Sequence, residues 1–319
     1  MKLALLLLCI LCFPIRGLAA DAIRIAYPST SFTTLPIIAA IKHGHFQQEA
    51  IRAELIFMRP NISVTALVNG QVEFATVHGS VVRAAARGLP VKSLMVIADR
   101  PAYFLVTKVL VKSIPALKGK TIGIASLGGS VHLMTKELFA QNGLDPDRDV
   151  TMVVTGDHNT SILAMQAGNV DAIVIAVPWQ TVATKAGYHN LTYLGDALRL
   201  PMAGLGAADA SIKSRPGLLK RAVKSTLRAI DFVRDGRNKR EVLSLMGDWF
   251  KIGEDLAQNA YDQMIEAYPA NGMVTDEALE KDLEVARQTG AIKGRVPISR
   301  VIDFQFVREA RQELSRGKP

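Results

Sequence analysis

An internal repeat is the feature of this sequence that most restricts its fold. Residues 53–77 align without a gap with residues 151–175, and both segments run from an apolar stretch through a polar loop to a glycine and a second apolar stretch. The identities in this alignment are Asn61/Asn159, Ser63/Ser161, Ala66/Ala164, Gly70/Gly168 and Val72/Val170. Upstream, Ile23-Arg24-Ile25-Ala26 matches Ile122-Gly123-Ile124-Ala125 in the same order. We infer that the chain contains two copies of one structural unit.

Each copy shows the pattern strand, loop, helix, glycine, strand, loop, helix, glycine and strand. Strands that alternate with helical stretches of about 10 to 15 residues predict βαβ units and a parallel sheet. Gly44, Gly70, Gly143 and Gly168 follow helical stretches, and we interpret them as helix C-caps, where positive φ is favoured. The alternative is that any two βαβ segments look somewhat alike, but the near-constant spacing over both stretches favours a true repeat.

The sequence changes in character after residue 200. Pro216 opens a region in which apolar residues recur at helical spacing, without a repeat or a low-complexity segment. Further helices are predicted around residues 242–250, 256–267, 276–289 and 302–314. We therefore predict an α/β fold with two sheet-containing units and a helical C-terminal region.

The first twenty residues, 1–20, have the pattern of a secretory signal peptide. Lys2 precedes an apolar run that ends at Phe13, and small residues follow it. This run is shorter than the roughly 20 residues that a membrane-spanning helix needs. Both cysteines of the chain, Cys9 and Cys12, fall within it. We expect an exported mature chain without a membrane span, without disulfides and without a thiolate nucleophile.

The chain is basic, with 38 Lys and Arg against 29 Asp and Glu and a formal net charge of +9. Such a charge can indicate nucleic-acid binding. Here the basic residues are dispersed and are not interleaved with aromatic residues, which argues against it. We expect no nucleic-acid partner, and we take the charge as a mild preference for small anionic ligands.

The loops that follow the predicted strands are the candidate ligand site. Open parallel sheets bind ligands at the carboxyl ends of their strands, and two facing sheets would form a cleft with one wall from each copy. Backbone N–H groups and helix dipoles in such loops favour an anion. The candidate binding residues are Ser29, Thr30, Ser31, Phe32, Arg59, Asn61, His78, Gly79 and Ser80 in the first copy, and Gly128, Gly129, Ser130, Asn159, Pro178 and Trp179 in the second.

Several of these residues also have a simpler interpretation. Trp179 and Phe32 would stack on a ring of the ligand, or they would only pack within the protein. Arg59 and Arg100 would pair with a carboxylate or sulfonate, or they would be solvated surface residues. N-capping, which is compatible with ligand contact, is expected for four serines, Ser31, Ser63, Ser130 and Ser161.

Metal and catalytic motifs are absent from the sequence. His78, His132 and His158 lack a second histidine at helical spacing or an accompanying Cys, Asp or Glu cluster. There is no Gly-x-Ser-x-Gly elbow, no phosphate-binding glycine loop and no prominent carboxylate pair. We expect no metal, no cofactor and no catalytic residue.

Five segments together resemble a known family. They are RIAYPSTSFTTLPIIAAIKHGHFQQEAI, LVNGQVEFATVHGS, MQAGNVDAIVI, ALKGKTIGIASLGGSVHLM and RPGLLKRAVKSTLRAIDFV. In this order and spacing they resemble the ABC-transporter periplasmic substrate-binding proteins of the nitrate/sulfonate/taurine-binding group, and the resemblance spans about residues 23–314.

The resemblance implies a two-lobed periplasmic-binding-protein fold of type II. By similarity, lobe 1 comprises residues 21–107 plus 205–319 and lobe 2 comprises residues 108–204, with Lys108 and Gly204-Leu205-Gly206 near the hinges. The lobes are expected to close on a ligand by hinge motion. We also expect a monomer that docks, when loaded, on a membrane permease.

The expected function is capture of a small organic anion, such as a sulfonate, a carboxylate, a nitrate-like ion or an aromatic acid. Members of the family bind different ligands, so the resemblance does not name this one. An enzyme of thiamine-pyrimidine synthesis resembles the same repeats, but it relies on an intracellular setting and a cysteine-rich motif. A periplasmic sensor that presents its ligand to a receptor is a third possibility and would use the same cleft.

Overall fold

The computed structural model describes residues 20–316. The predicted signal peptide, with Cys9 and Cys12, lies outside the described residues apart from its last residue, Ala20. Within the described part, no helix combines the length and apolar character needed to cross a membrane.

Ten strands and fifteen α-helices make up the described part of the chain. The strands are β1 Asp21–Tyr27, β2 Ile51–Phe57, β3 Phe74–Ala75, β4 Val91–Ala98, β5 Tyr103–Thr107, β6 Thr121–Ile124, β7 Thr151–Val154, β8 Ala172–Ala176, β9 His189–Tyr193 and β10 Ala203–Ala208. The helices are α1 Leu35–Lys42, α2 His45–Gln48, α3 Pro60–Val68, α4 His78–Ala86, α5 Ser130–Gln141, α6 His158–Gln166, α7 Trp179–Lys185, α8 Leu194–Ala197, α9 Asp209–Ser214, α10 Pro216–Arg234, α11 Lys239–Phe250, α12 Glu254–Met264, α13 Asp276–Gln288, α14 Ile298–Val301 and α15 Gln305–Arg316. Short 3-10 helices span Phe32–Thr34, Pro115–Leu117, Gly236–Asn238 and Ile265–Ala267.

The strands form two five-stranded sheets of the same design. The first has the order β2-β1-β3-β10-β4 and the second the order β7-β6-β8-β5-β9. In each sheet the first three strands are parallel, and the fourth, β10 or β5, is antiparallel to both of its neighbours. The prediction of parallel sheets is therefore correct for the repeated strands and wrong for the whole sheets, because β5 and β10 are not joined to their neighbours through βαβ units.

The two copies of the repeat correspond to these parallel strands. The segment from β1 through α1, β2 and α3 to β3 matches the segment from β6 through α5, β7 and α6 to β8. The correspondence extends beyond the predicted repeat. Helices α4 and α7 follow the third parallel strand of their sheets, and β4 and β9 are the edge strands beside the antiparallel strand. Each copy therefore supplies four of the five strands of one sheet.

The four glycines predicted to end helices have the expected conformation. Their φ values are +72° at Gly44, +66° at Gly70, +78° at Gly143 and +78° at Gly168. The left-handed region is costly for residues with a Cβ, so glycine is favoured where a helix ends in this way.

The fourth strand of each sheet, β10 or β5, is the first strand that the chain forms after it crosses over from the other sheet. The predicted first lobe, 21–107, includes β5, yet β5 pairs with β8 and β9 of the second sheet. The crossover therefore precedes Tyr103, and Lys108 follows the strand that completes the second sheet. Gly204-Leu205-Gly206, predicted near a hinge, lies within β10 of the first sheet. The predicted boundary missed β5 because it follows β4 after only four residues, 99–102, with no change in composition.

The helical pattern after Pro216 predicts helices in the C-terminal region, and the structure places several of these helices against the first sheet. The long helix α10 lies against α1, α2 and α15. Its Lys224 forms an ion pair with Glu49 at 2.8 Å, and its Ser225 Oγ donates to the carbonyl oxygen of His45 at 3.0 Å. Ile302 forms an isolated parallel bridge with Ser93 of β4. These contacts join the beginning and the end of the described chain in one unit.

Candidate ligand-binding site

A cavity of about 400 Å³ lies where the carboxyl ends of the two sheets face each other. The residues that line it are Pro28, Ser29, Thr33, Phe57, Arg59, Pro60, Thr76, Val77, Ser80, Tyr103, Ala125, Ser126, Gly129, Ser130, Val131, Val154, Thr155, Gly156, Asp157, His158, Thr160 and Met202. Both copies of the repeat contribute equivalent loops to this wall, namely those that follow β1, β2 and β3 in one unit and β6 and β7 in the other.

Five of the predicted site residues lie in the wall of this cavity: Ser29, Arg59, Ser80, Gly129 and Ser130. Three others, Thr30, Asn159 and Trp179, line an adjoining groove of about 690 Å³ instead. The remaining seven, Ser31, Phe32, Asn61, His78, Gly79, Gly128 and Pro178, line neither space. The predicted loops lie at or beside this cavity, whereas the residue within each loop that faces it depends on the local path of the backbone.

Phe32 belongs to the core, so the prediction that it stacks on a ligand is wrong. Its side chain is fully buried and packs edge-on against Tyr103, with 5.9 Å between ring centroids. Its carbonyl oxygen accepts a hydrogen bond of 2.7 Å from the Tyr268 hydroxyl. The phenyl ring supports the cavity wall from behind through Tyr103.

Trp179 lies in the groove next to the cavity. Its indole Nε1–H donates to the carbonyl oxygen of Thr30 at 2.8 Å, and its ring stacks on His158 with centroids 6.2 Å apart. His158 lines both the cavity and the groove. Trp179 therefore does not line the cavity itself, but it packs against His158, which does.

Tyr103 is a cavity residue that the sequence did not indicate. It is the first residue of β5 and is only 6% exposed. Burial raises the pKa of its hydroxyl to about 12, although hydrogen bonding to Ser29 and Ser31 opposes this effect. The phenol thus stays protonated at neutral pH and can donate a hydrogen bond. No motif surrounds Tyr103, and only the pairing of β5 with the second sheet brings it to the cavity.

Two buried histidines near the cavity are neutral. Burial lowers the pKa of His158 to about 4, against the opposing charge of Asp157, and lowers the pKa of His78 to about 3, with a further contribution from Arg83. His78 Nδ1 and Ser93 Oγ form a hydrogen bond of 2.8 Å behind the cavity wall.

His132 Nδ1 accepts a hydrogen bond from the backbone N–H of Gly128 at 3.0 Å. Across residues 20–316, no three His, Cys, Asp or Glu side chains are grouped so as to hold a metal ion.

The four serines predicted to cap helices do not do so. Ser63 and Ser161 lie inside α3 and α6 and donate to backbone carbonyls of the preceding turn. Ser130 is the first residue of α5, after the N-cap Gly129, and Ser31 precedes a 3-10 helix without a capping bond. At α6 the cap is Asp157, whose carboxylate accepts from the backbone N–H of Thr160 at 2.8 Å.

The cavity wall combines helix N-termini, hydroxyl groups and few charges. Helices α3, α5 and α6 all begin at the cavity, so their first N–H groups and dipoles favour negative charge there. Arg59 is an exposed cation at the wall. Asp157 is the carboxylate of this wall, and its oxygen Oδ1 accepts two hydrogen bonds from Thr160. Arg100, the other candidate arginine, pairs with Asp99 at 2.9 Å and does not line the cavity.

Comparison with known proteins places the chain in a family. A family model described as NMT1/THI5 like matches residues 31–236. The riboflavin-binding protein RibY of Chloroflexus aurantiacus is 31% identical over 164 residues, which cover 50% of this chain and 46% of RibY. This chain thus spans about half the length of that relative.

Solved structures share the fold at low sequence identity. The periplasmic nitrate-binding protein NrtA from Synechocystis PCC 6803 is 15% identical with a TM-score of 0.79, over 92% of this chain and 89% of NrtA. The alkanesulfonate-binding protein SsuA from Xanthomonas axonopodis pv. citri, bound to MOPS, is 17% identical with a TM-score of 0.74, over 89% of this chain and 98% of SsuA. The two-sheet architecture is therefore the fold of periplasmic binding proteins, and the chain belongs to the NMT1/THI5-like family.

Proposed function

We propose that this protein is the periplasmic solute-binding component of an ABC import system and that it captures a small organic anion between its two sheets. The observation that carries the proposal is the cavity of about 400 Å³, onto which three helix N-termini converge. This volume falls within the range of about 300 to 1,000 Å³ that is usual for small-molecule sites.

The polar groups of the cavity wall favour a ligand that carries an anionic group. Helix N-termini and hydroxyl groups supply hydrogen-bond donors without a full positive charge. Arg59 adds a cation at the wall, and the carboxylate of Asp157 is engaged by Thr160. The hydroxyl groups come from Ser29, Thr33, Thr76, Ser80, Tyr103, Ser126, Ser130, Thr155 and Thr160.

The wall also supports an organic body on the ligand. Phe57, Val77, Val131 and Met202 give it an apolar part beside the donors. A bare inorganic oxyanion would leave this apolar surface without a partner, whereas a carboxylate or sulfonate with a hydrocarbon portion would cover it.

The names of similar proteins agree with this class of function. NrtA is a nitrate-binding protein, SsuA is an alkanesulfonate-binding protein and RibY is a riboflavin-binding protein. We infer that the present protein likewise binds its ligand without transforming it, closes by hinge motion and delivers the ligand to a membrane permease.

A thermal-shift screen of the purified protein tests the proposal. The panel consists of taurine, alkylsulfonates, nitrate, aromatic carboxylates and pyrimidines, because a ligand at 100 times its Kd adds about 2.7 kcal/mol to the free energy of unfolding. We expect a clear shift with one anionic class and a smaller shift for Tyr103→Phe, which loses a donor in the cavity. Shifts with uncharged compounds alone would contradict the anionic assignment, and a shift that Tyr103→Phe leaves unchanged would contradict the position of the site.

A further inference from the structure

A buried arginine stands directly behind the cavity wall. Arg83 lies on α4 and is 2% exposed. Its Nη2 donates to Ser130 Oγ at 3.1 Å and to Ser80 Oγ at 3.3 Å. Ser80 follows β3 of the first sheet and Ser130 follows β6 of the second, so one guanidinium holds a hydroxyl from each side of the cavity.

The guanidinium of Arg83 determines whether these two hydroxyl groups act as donors or acceptors toward other partners. Arginine has donors and no acceptor, whereas a serine hydroxyl has one donor and two acceptor positions. Ser80 and Ser130 therefore use their oxygens to accept from Arg83 and must direct their hydrogens to another acceptor. Both side chains line the cavity, and an acceptor atom of a bound ligand can take these hydrogens.

The surroundings of Arg83 hold it in this position. Gly79 lies against it, and a Cβ at that position would overlap Ser130 Oγ and lie 2.8 Å from Arg83 Nη1. Asp282 of α13, which is 4% exposed, lines a small space together with Arg83 and Ser130. Burial lowers the pKa of Arg83, and the negative charge of Asp282 opposes this effect. Because arginine is not deprotonated in proteins, Arg83 is a cation with Asp282 as a nearby acidic side chain.

We propose that Arg83 is a positioning residue that orients the hydroxyl hydrogens of Ser80 and Ser130 toward the ligand and thereby makes the cavity selective for an anionic oxygen group, such as a carboxylate or a sulfonate. This inference rests on the proposed function, and it assigns the selectivity to a residue that does not itself touch the ligand.

Matched pairs of charged and neutral ligands test the role. Isothermal titration calorimetry compares benzoate with benzamide and benzenesulfonate with benzenesulfonamide, on the wild type and on the double variant Arg83→Met/Asp282→Asn. The double variant removes both buried charges together, and Asp282→Asn alone is its control. We expect the wild type to prefer the anion of at least one pair, and the double variant to lose anion affinity by on the order of tenfold to a hundredfold, with little change for the amide.

A merely structural role for Arg83 would weaken both members of a pair equally, and that result would overturn the inference while leaving the proposed function intact. Wild-type protein that binds the amides better than the anions would also overturn it. Wild-type protein that binds none of the four compounds would overturn the inference, whereas the thermal-shift panel decides the proposed small-anion function separately. If the double variant does not fold, Ser80→Ala and Ser130→Ala replace it, and each must reduce the preference for the anion.

Discussion

The indole nitrogen of Trp179 donates a hydrogen bond of 2.8 Å to the carbonyl oxygen of Thr30. Trp179 begins the helix after β8 of the second sheet, and Thr30 follows β1 of the first. This bond therefore joins a side chain of one unit to the backbone of the other, beside the cavity that both units line.

Replacement of Trp179 should weaken the connection between the two units. Trp179→Phe keeps an aromatic ring and removes the donor to Thr30, which we expect to cost about 1 kcal/mol in the free energy of unfolding. Trp249→Phe is the control, because Trp249 lines the same groove and its Nε1 has no partner within the described residues. Urea unfolding measures the cost and small-angle X-ray scattering measures the separation of the units. A larger radius of gyration is expected for Trp179→Phe alone, and equal values for both variants would contradict the connection.

A side chain at Gly79 should disturb the contact between α4 and α5. The added methyl of Gly79→Ala would meet Ser130 and Arg83, and overpacking of this kind costs about 1 to 3 kcal/mol. Gly217→Ala is the matched control, since nothing lies within 4 Å of the added Cβ in helix α10. Denaturant unfolding should show a clear loss for Gly79→Ala and no loss for Gly217→Ala. A neutral Gly79→Ala would mean that Arg83 and Ser130 are free to move apart.

The two copies of the repeat should respond alike at their equivalent glycines. Gly70 and Gly168 have φ values of +66° and +78°, and nothing lies within 4 Å of a Cβ at either position. Backbone strain alone then predicts that Gly70→Ala and Gly168→Ala each cost about 1 to 2 kcal/mol. Gly236→Ala, which has open space and no positive φ, should be nearly neutral. Thermal unfolding of the three variants checks this, and a large difference between the two repeat positions would argue against equivalent caps.

The buried neutral His78 should make stability fall in acid. Its pKa is lowered to about 3 by burial, so the unfolded chain binds a proton near the ordinary value of 6.5 and the folded protein does not. The stability it contributes is fully present above pH 6.5 and decreases by up to about 1.4 kcal/mol per pH unit as the pH falls toward 3. His78→Asn retains a polar partner for Ser93 and cannot titrate.

Urea unfolding of both proteins between pH 7 and pH 4 measures this difference. We expect a shallower decline for His78→Asn than for the wild type. His158, whose pKa is lowered to about 4, and Asp282, whose pKa burial raises to about 6 against the charge of Arg83, are present in both proteins and contribute equally to both profiles. Parallel profiles would show that His78 is protonated within the folded protein.

Much of the fold follows from local patterns in the sequence. The repeated strands, the helices between them, the glycines at the helix ends and the helix from Pro216 depend on residues close together in the chain, and all occur where the pattern predicts them. The position of β5 in the second sheet could not be predicted from such local patterns. Its pairing with β8 and β9 is a long-range contact, and its own sequence is that of any buried strand.

The loops that line the candidate cavity could be predicted from the sequence, whereas the individual side chains that face it could not. Phe32 and Tyr103 are in contact, yet only Tyr103 lines the cavity, because the ring of Phe32 is fully buried behind it. The sequence did not indicate that Arg83 is buried, since an arginine in a helical segment normally indicates a solvated surface. Its burial depends on α5 and α13, which come from distant parts of the chain.

Isothermal titration with a blocked cavity shows whether the ligand binds between the two sheets. The ligand is the anion that binds most tightly in the panel, and the variant is Ser126→Trp, which places a large side chain in the cavity wall. Ser214→Trp adds the same side chain at an exposed position of α9 and is the control. We expect one-to-one binding to the wild type and to Ser214→Trp, and no detectable binding to Ser126→Trp. Unchanged affinity in Ser126→Trp would show that the ligand binds elsewhere and would contradict the assignment of this cavity as the binding site.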